Sequence, residues 1–433
     1  MTTAHEQQNA ESAGTSAIPL SRNRNYNILW TGQLFSELTI EIIAIAVPLL
    51  ILAHSGSPLQ MGLTVSVLAA ANMVAVVPAG VVADRWDRRK VMLVCQGLRA
   101  GGLGSLVMAL ALDAYTYPHL LLVMVVEGLL GSVFDPAEHA ALPQVVPESQ
   151  LPAALARNAA RPYVATLLGP AVAGFLFTLH PANPFVAGSV MITLSFLALF
   201  LLRLPRRARF AQEAAESAGD SASEGETGDG AQGGAMHDAA VGFRWVLGQR
   251  VIRSTLLWVM LVNLFFSALI VIILARSGED QVGAGEMGLM MTCFGAGGLA
   301  GAALAARLHA ALPASAIVTG FSWVAAGVTT AMVFVPSGLV LGVLLGLVAF
   351  LAPVANTTVL THQMLATPDE LRGRMSGVAG LCTGVAGVLG PLGGGLLMTA
   401  ADGGAGAVAA CAAGLALVAA GTTFNPALRR VGN

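Results

Sequence analysis

The stretch Gly80-Val-Val-Ala-Asp84-Arg85-Trp86-Asp87-Arg88-Arg89-Lys90 decides the fold. Six of its last seven residues are charged, in a chain of 433 residues of which 11% are charged and 55% hydrophobic. Apolar runs of membrane-spanning length lie on both sides. A charge at the bilayer centre costs several kcal/mol, so neither run continues through this stretch. It is therefore a tight loop at a membrane surface, and its surplus of arginine and lysine assigns it to the cytoplasmic one.

Outward from the loop, a spanning helix needs about 20 mostly apolar residues. Six such runs fall near 28–53, 59–83, 91–112, 119–137, 160–179 and 184–204. Six more fall near 254–275, 284–306, 314–335, 338–361, 375–398 and 404–424. They are apolar all round, unlike the short alternating strands of a membrane β-barrel. The predicted fold is all-α, with twelve transmembrane helices in two six-helix bundles.

Residues 1–25 read as a disordered cytoplasmic tail, 26–204 as the first bundle and 205–250 as a cytoplasmic linker. Residues 251–426 read as the second bundle and 427–433 as a tail. The Glu/Asp/Gly/Ser/Ala-rich linker cannot bury enough apolar surface to fold. Its end, 241–253, mixes apolar and basic residues as an interfacial helix does. With the amino terminus inside, the arginines gather in the inner loops, and Arg276 is the one basic residue placed outside. That bias puts both termini in the cytoplasm of an inner or plasma membrane protein.

Several classes are excluded. A net charge of −2 offers no basic surface for nucleic acid. The four cysteines, Cys95, Cys293, Cys382 and Cys411, sit apart inside apolar runs, without metal or disulfide spacing. No phosphate-binding Gly-x-x-x-x-Gly-Lys-[Ser/Thr] motif occurs, and no nucleophile–base arrangement suggests an enzyme. No cofactor or metal is expected. The expected partners are lipid, a small-molecule substrate and protons, and the chain is expected to act as a monomer.

The halves repeat at an offset of about 221 residues, which predicts bundles related by an axis along the membrane normal, with a cavity between them. Pro147 matches Pro368, Gly80 matches Gly301, and Gly169-Pro170 matches Gly390-Pro391. Proline bends a helix and glycine lets helices approach, so both Gly-Pro pairs read as kinked packing seams.

Charges inside spans are expensive and mark function. Gln33, Glu37 and Glu41 repeat every four residues and share one face of span one. Facing the cavity, these carboxylates suit proton uptake and release, or a cationic substrate; packed against a neighbour, they are a structural polar pair. Glu37 reads as the more central. Arg99 and Glu127 lie at matching depth in spans three and four, a buried pair. Asp135, Arg157 and Arg161 are expected to pair near the cytoplasmic end. Asn263 and Asn356 are candidates for the second bundle's cavity wall.

The Gly80–Lys90 loop resembles the signature loop of the major facilitator superfamily, with Asp87 where the family pattern has glycine. Phe134-Asp-Pro-Ala-Glu-His-Ala-Ala-Leu-Pro-Gln-Val-Val-Pro147 and Pro368-Asp-Glu-Leu-Arg-Gly-Arg374 resemble its enterobactin-exporter and macrolide-efflux branch. Gly169-Pro170 with Gly174 is similar to a span-five motif of drug/proton antiporters, Ala173 replacing a second glycine. The resemblance implies alternating access, with Asp84 set against the start of span eleven, Arg372-Gly373-Arg374. Gly80, Asp84, Arg85, Arg88, Arg89, Arg372 and Arg374 then form a gate. The equivalent loop at Gly301–His309 keeps a glycine and a basic residue but no carboxylate, so topology alone does not account for Asp84. The implied activity is proton-coupled efflux of a small amphiphilic molecule such as a siderophore or antibiotic. A proton-coupled nutrient importer and a non-transporting membrane sensor or scaffold are the alternatives.

Overall fold

A computed structural model describes residues 19–202, 248–401 and 403–425, without the side chains of residues 77, 83, 84 and 148. Twelve helices in it are long and apolar enough to cross a membrane. They are α1 (Arg24–His54), α2 (Pro58–Arg85), α3 (Arg88–Ala111), α4 (Tyr117–Val145), α5 (Leu151–Leu179) and α6 (Asn183–Phe200), then α7 (Arg250–Glu279), α8 (Ala284–Ala311), α9 (Ala314–Phe334), α10 (Leu339–Ala366), α11 (Arg372–Ala400) and α12 (Gly404–Phe424). Two six-helix bundles result. The terminal face is the side where α1 begins and α12 ends; the opposite side is the far face.

Local chemistry sets the helix ends. Asn23 and Ser57 cap α1 and α2 by accepting from the backbone N–H of Tyr26 and Gln60. Asp87 caps α3 in the same way, accepting from Lys90 N–H at 3.1 Å. Its backbone, φ −64° and ψ 113°, is ordinary extended geometry, so the glycine of the family pattern is dispensable in this turn. Arg88 donates to the Ala140 carbonyl, and Arg89 to those of Leu199 and Phe200. These bonds stitch the loop to the ends of α4 and α6 in its own bundle.

Three boundaries differ from expectation. A 3₁₀ turn, Leu20–Arg22, precedes α1, so order begins before residue 25. Asn23 also donates to the Val145 carbonyl at 2.7 Å, anchoring the turn to α4. Helices α4 and α5 continue well past 137 and begin well before 160. Hydropathy stops at the edge of the apolar run, whereas Ala137 and Ala141 pack with Leu29 and Val91, and Leu142 and Ala154 with Tyr26. The seventh span begins at Arg250, with Gln249 as its extended N-cap. Residues 250–253 thus belong to the span itself, with Ile252 buried beside Met375. The rest of the expected linker, 205–247, lies outside the described residues.

Candidate functional site

Two seams join the bundles, α2 against α11 and α5 against α8. Gly62 lies against the Pro391 carbonyl, and Gly288 against that of Pro170, where a Cβ would come within 2.6 Å. Reciprocally, a Cβ on Gly395 would stand 2.7 Å from the Pro58 carbonyl, and one on Gly174 2.6 Å from that of Ala284. The four approaches obey one pseudo-two-fold relation, and each needs a residue without a side chain. Helices α5 and α11 run through Pro170 and Pro391 unbroken. All four approaches lie toward the far face. Toward the terminal face, Gly80, Gly373, Gly377 and Gly380 have nothing within 4 Å of where a Cβ would stand.

Between the seams lies a cavity of about 220 Å³, whose wall includes Glu41, Leu68, Thr166, Ser267, Phe294 and Pro391. A second chamber of about 490 Å³ shares Thr166 and Phe294 with it. Its wall carries Tyr163, Trp258, Phe266 and Phe321, together with Asn263 and Asn356. Among the described residues Glu41 is the one charged residue on either wall. Its Oε1 accepts from the Thr166 hydroxyl at 2.7 Å, and Gly169 packs against its Cβ. Trp258 is fixed by an Nε1–H bond to Ser322 Oγ at 2.9 Å and an edge-on contact with Phe321.

Five other spanning charges pair among themselves. Arg99 Nε stands 2.9 Å from Glu127 Oε2, and its Nη1 donates to Ser36 Oγ at 2.7 Å. Arg161 Nε stands 3.0 Å from Glu37, and its Nη1 3.5 Å from Glu138. Glu138 and Arg161 are almost wholly buried.

Three expectations are corrected. Glu41, not Glu37, lines the central cavity; Glu37, one helical turn nearer the terminal face, turns to Arg161 of α5 at 3.0 Å. Gln33 does not face the cavity: it is buried and donates to Asp135 at 2.8 Å. Asp135, Arg157 and Arg161 do not form one cluster. Asp135 holds Gln33, and Arg157 lies 6.0 and 5.8 Å from the ring centroids of Tyr26 and Trp30. Of the expected gate, Arg372 pairs with Asp369 at 2.8 Å and donates to the Met364 carbonyl near the end of α10. The Asp84 side chain lies outside the described residues.

Sequence reasoning missed Glu138 and Thr166. Glu138 follows Glu127 on α4 by three helical turns, so the two share a face, and that spacing was the available signal. Thr166 carries no such mark, because an isolated threonine in a span usually bonds its own helix.

The family model described as Major Facilitator Superfamily matches residues 29–279. The enterobactin exporter EntS of Shigella boydii serotype 18 is 25% identical over 360 residues, covering 82% of this chain and 80% of that protein. Macrolide efflux protein A of Streptococcus pyogenes is 25% identical over 181 residues, 41% of this chain and 44% of that protein. Among solved structures, a bacterial homologue of the lysosomal transporter Spinster, inward-facing and unoccupied, aligns with a TM-score of 0.63 at 15% identity, covering 95% of this chain and 96% of that one. The nucleoside transporter NupG aligns with a TM-score of 0.69 at 12% identity, covering 92% and 98%.

Proposed function

The chain belongs to the major facilitator superfamily, a family of transporters rather than enzymes, and from that premise we propose that it is a proton-coupled exporter of a small amphiphilic molecule. It is a multi-pass membrane protein. In this reading it is a monomer in the bacterial inner membrane, and the terminal face, which carries both termini, is cytoplasmic. The direction rests on the relatives, whose names give them as an enterobactin exporter and a macrolide efflux protein. In the structure the bundles press together on the far face, which is the periplasmic side in this reading.

One observation carries the coupling: Glu41 is the charged residue on the wall of the cavity between the bundles. With the cytoplasmic side open, the Glu41 carboxylate gives up its proton and takes substrate, and the seams keep the outer side shut. Rocking the bundles about the cavity exchanges access from one side to the other. Outside, where protons are plentiful, Glu41 is protonated and cargo leaves; inside, the proton is lost. The asymmetric Asp84 loop serves as a gate that joins the bundles only when the cytoplasmic side closes.

Everted membrane vesicles test the direction. Acidifying their lumen should drive accumulation of labelled amphiphiles, and collapsing the pH gradient should stop it. Gradient-driven uptake of the same compounds into intact cells would instead establish an importer. A flat response to pH across reconstituted vesicles would favour a non-transporting role.

A further inference from the structure

We propose that the two adjoining cavities, which share Thr166 and Phe294, together form one bipartite site for a lipophilic monocation, its positive group at Glu41 and its apolar body among the aromatic side chains of the second chamber. We infer further that one such cation exchanges for one proton on that carboxylate. This builds on the exporter reading and adds the charge, shape and stoichiometry of the cargo.

The charge follows from what surrounds Glu41. Residues from α2, α4, α5, α7, α8 and α11 complete its wall, and none is titratable; Thr64, Thr166 and Ser267 are the polar ones. The neighbouring charges are committed elsewhere. Arg161 lies between Glu37 and Glu138, and Arg99 against Glu127. Among the described residues no Arg, Lys or His lines either chamber. A lone carboxylate in an apolar cavity is satisfied by one positive charge or one proton, and it repels an anion.

The shape follows from the asymmetry of the bundles. Helix α7 starts about 226 residues after α1, and at this offset Asn263 and Ser267 stand where α1 has Glu37 and Glu41. The second bundle therefore offers neutral hydroxyl and amide groups where the first offers carboxylates. In exchange it supplies Trp258, Phe266 and Phe321, with Phe266 and Phe294 rings 5.6 Å apart at the junction. A cation bonded to one bundle and stacked on the other spans the gap between them, so its presence bears on their closure. Flat aromatic walls also favour a cation over a neutral body of equal size. The volumes, about 220 and 490 Å³, fit a compact charged group attached to a larger body.

The stoichiometry follows from the single carboxylate. It holds a proton or a cation, not both. Each cycle carries one proton inward for one cation outward, and no net charge crosses. The exchange is then driven by the pH gradient and is indifferent to membrane potential.

Two ions of equal size and opposite charge provide the test. Tetraphenylphosphonium and tetraphenylborate are each equilibrated with the purified full-length protein in detergent. The phosphonium should bind at least roughly tenfold more tightly and release about one proton per ion bound. In the acidic range its apparent affinity should fall by about tenfold per pH unit. Glu41→Gln should abolish the preference and the proton release. Equal or tighter borate binding, or phosphonium binding without proton release by the unaltered protein, overturns the proposal whether or not the variant folds. Proton-driven export of other compounds alongside that result would leave the exporter reading standing. Phosphonium binding with proton release, but no transport under a pH gradient, would defeat the exporter reading and keep the site.

Discussion

Glu41 and Ser267 hold equivalent places in the two bundles: Gly169 packs against the Cβ of one, Gly390 against the Oγ of the other, and both line one cavity. The fold places a polar side chain at each Gly-Pro seam, and the sequence charges only one. Glu41→Gln should lower proton-driven transport by roughly a hundredfold, the loss of one positioned proton carrier. Ser267→Ala should leave the pH dependence intact, because that hydroxyl bonds mainly to the Asn263 and Leu264 carbonyls of its own helix. Transport rates in reconstituted vesicles across a pH series separate the two.

The Arg99–Glu127 pair is a folding element. Arg99 is fully buried and the pair lies outside both chambers. Breaking it with Glu127→Ala strands a buried guanidinium and should cost about 3–5 kcal/mol. Replacing both partners, Arg99→Met with Glu127→Met, should recover most of that, because the desolvation of both charges disappears. Thermal unfolding of purified protein is the measurement.

Arg161 answers two carboxylates at once. Arg161→Leu leaves Glu37 and Glu138 without their shared arginine and should lower the unfolding midpoint more than Glu138→Gln does. Adding Glu138→Gln to Arg161→Leu should restore part of the loss. A double variant no more stable than Arg161→Leu alone would remove Glu138 from the network.

The seams predict a conformational phenotype. Gly288→Val puts a branched side chain where the Pro170 carbonyl leaves 2.6 Å, so the far face cannot close. A cysteine introduced by Thr64→Cys on the cavity wall should then react faster with an impermeant thiol reagent added from that side. Ala substitution at Gly320 of α9, which has open space and lies outside the seams and the gate, should leave the reaction rate unchanged.

In the opening loop, neighbouring acids should part in phenotype. Asp87→Ala removes the α3 cap and should cost about 1 kcal/mol of stability, with transport per folded molecule retained; Asp87→Asn should be milder. Asp84→Asn should cut transport while expression and insertion stay normal. Equal transport by Asp84→Asn and the parent would reduce the loop to a topological anchor.

The number of spans, the repeat and the Gly-Pro pairs were legible because each is written in local chemistry. An apolar run must enter lipid whatever its neighbours do, and a duplicated motif is visible by comparison within the chain. Arg99 and Glu127 were also traceable, since both are charges at one depth in consecutive spans. The extents of α4 and α5 were not, because past the bilayer edge a helix continues only where another element covers it.

The assignment of carboxylates shows the limit most sharply. Gln33, Glu37 and Glu41 share one face of α1, and periodicity cannot distinguish among residues on the same face. The sequence by itself determined that three polar groups look toward one side, that twelve spans enclose a cavity, and that charge favours the first half. Tertiary structure decided that Asp135 takes Gln33, that Arg161 takes Glu37, and that Glu41 is left to the cavity. The physical reason is that a buried charge is defined by its nearest counter-charge. Here those partners sit on α4 and α5, about a hundred residues away along the chain and a few ångströms away in space.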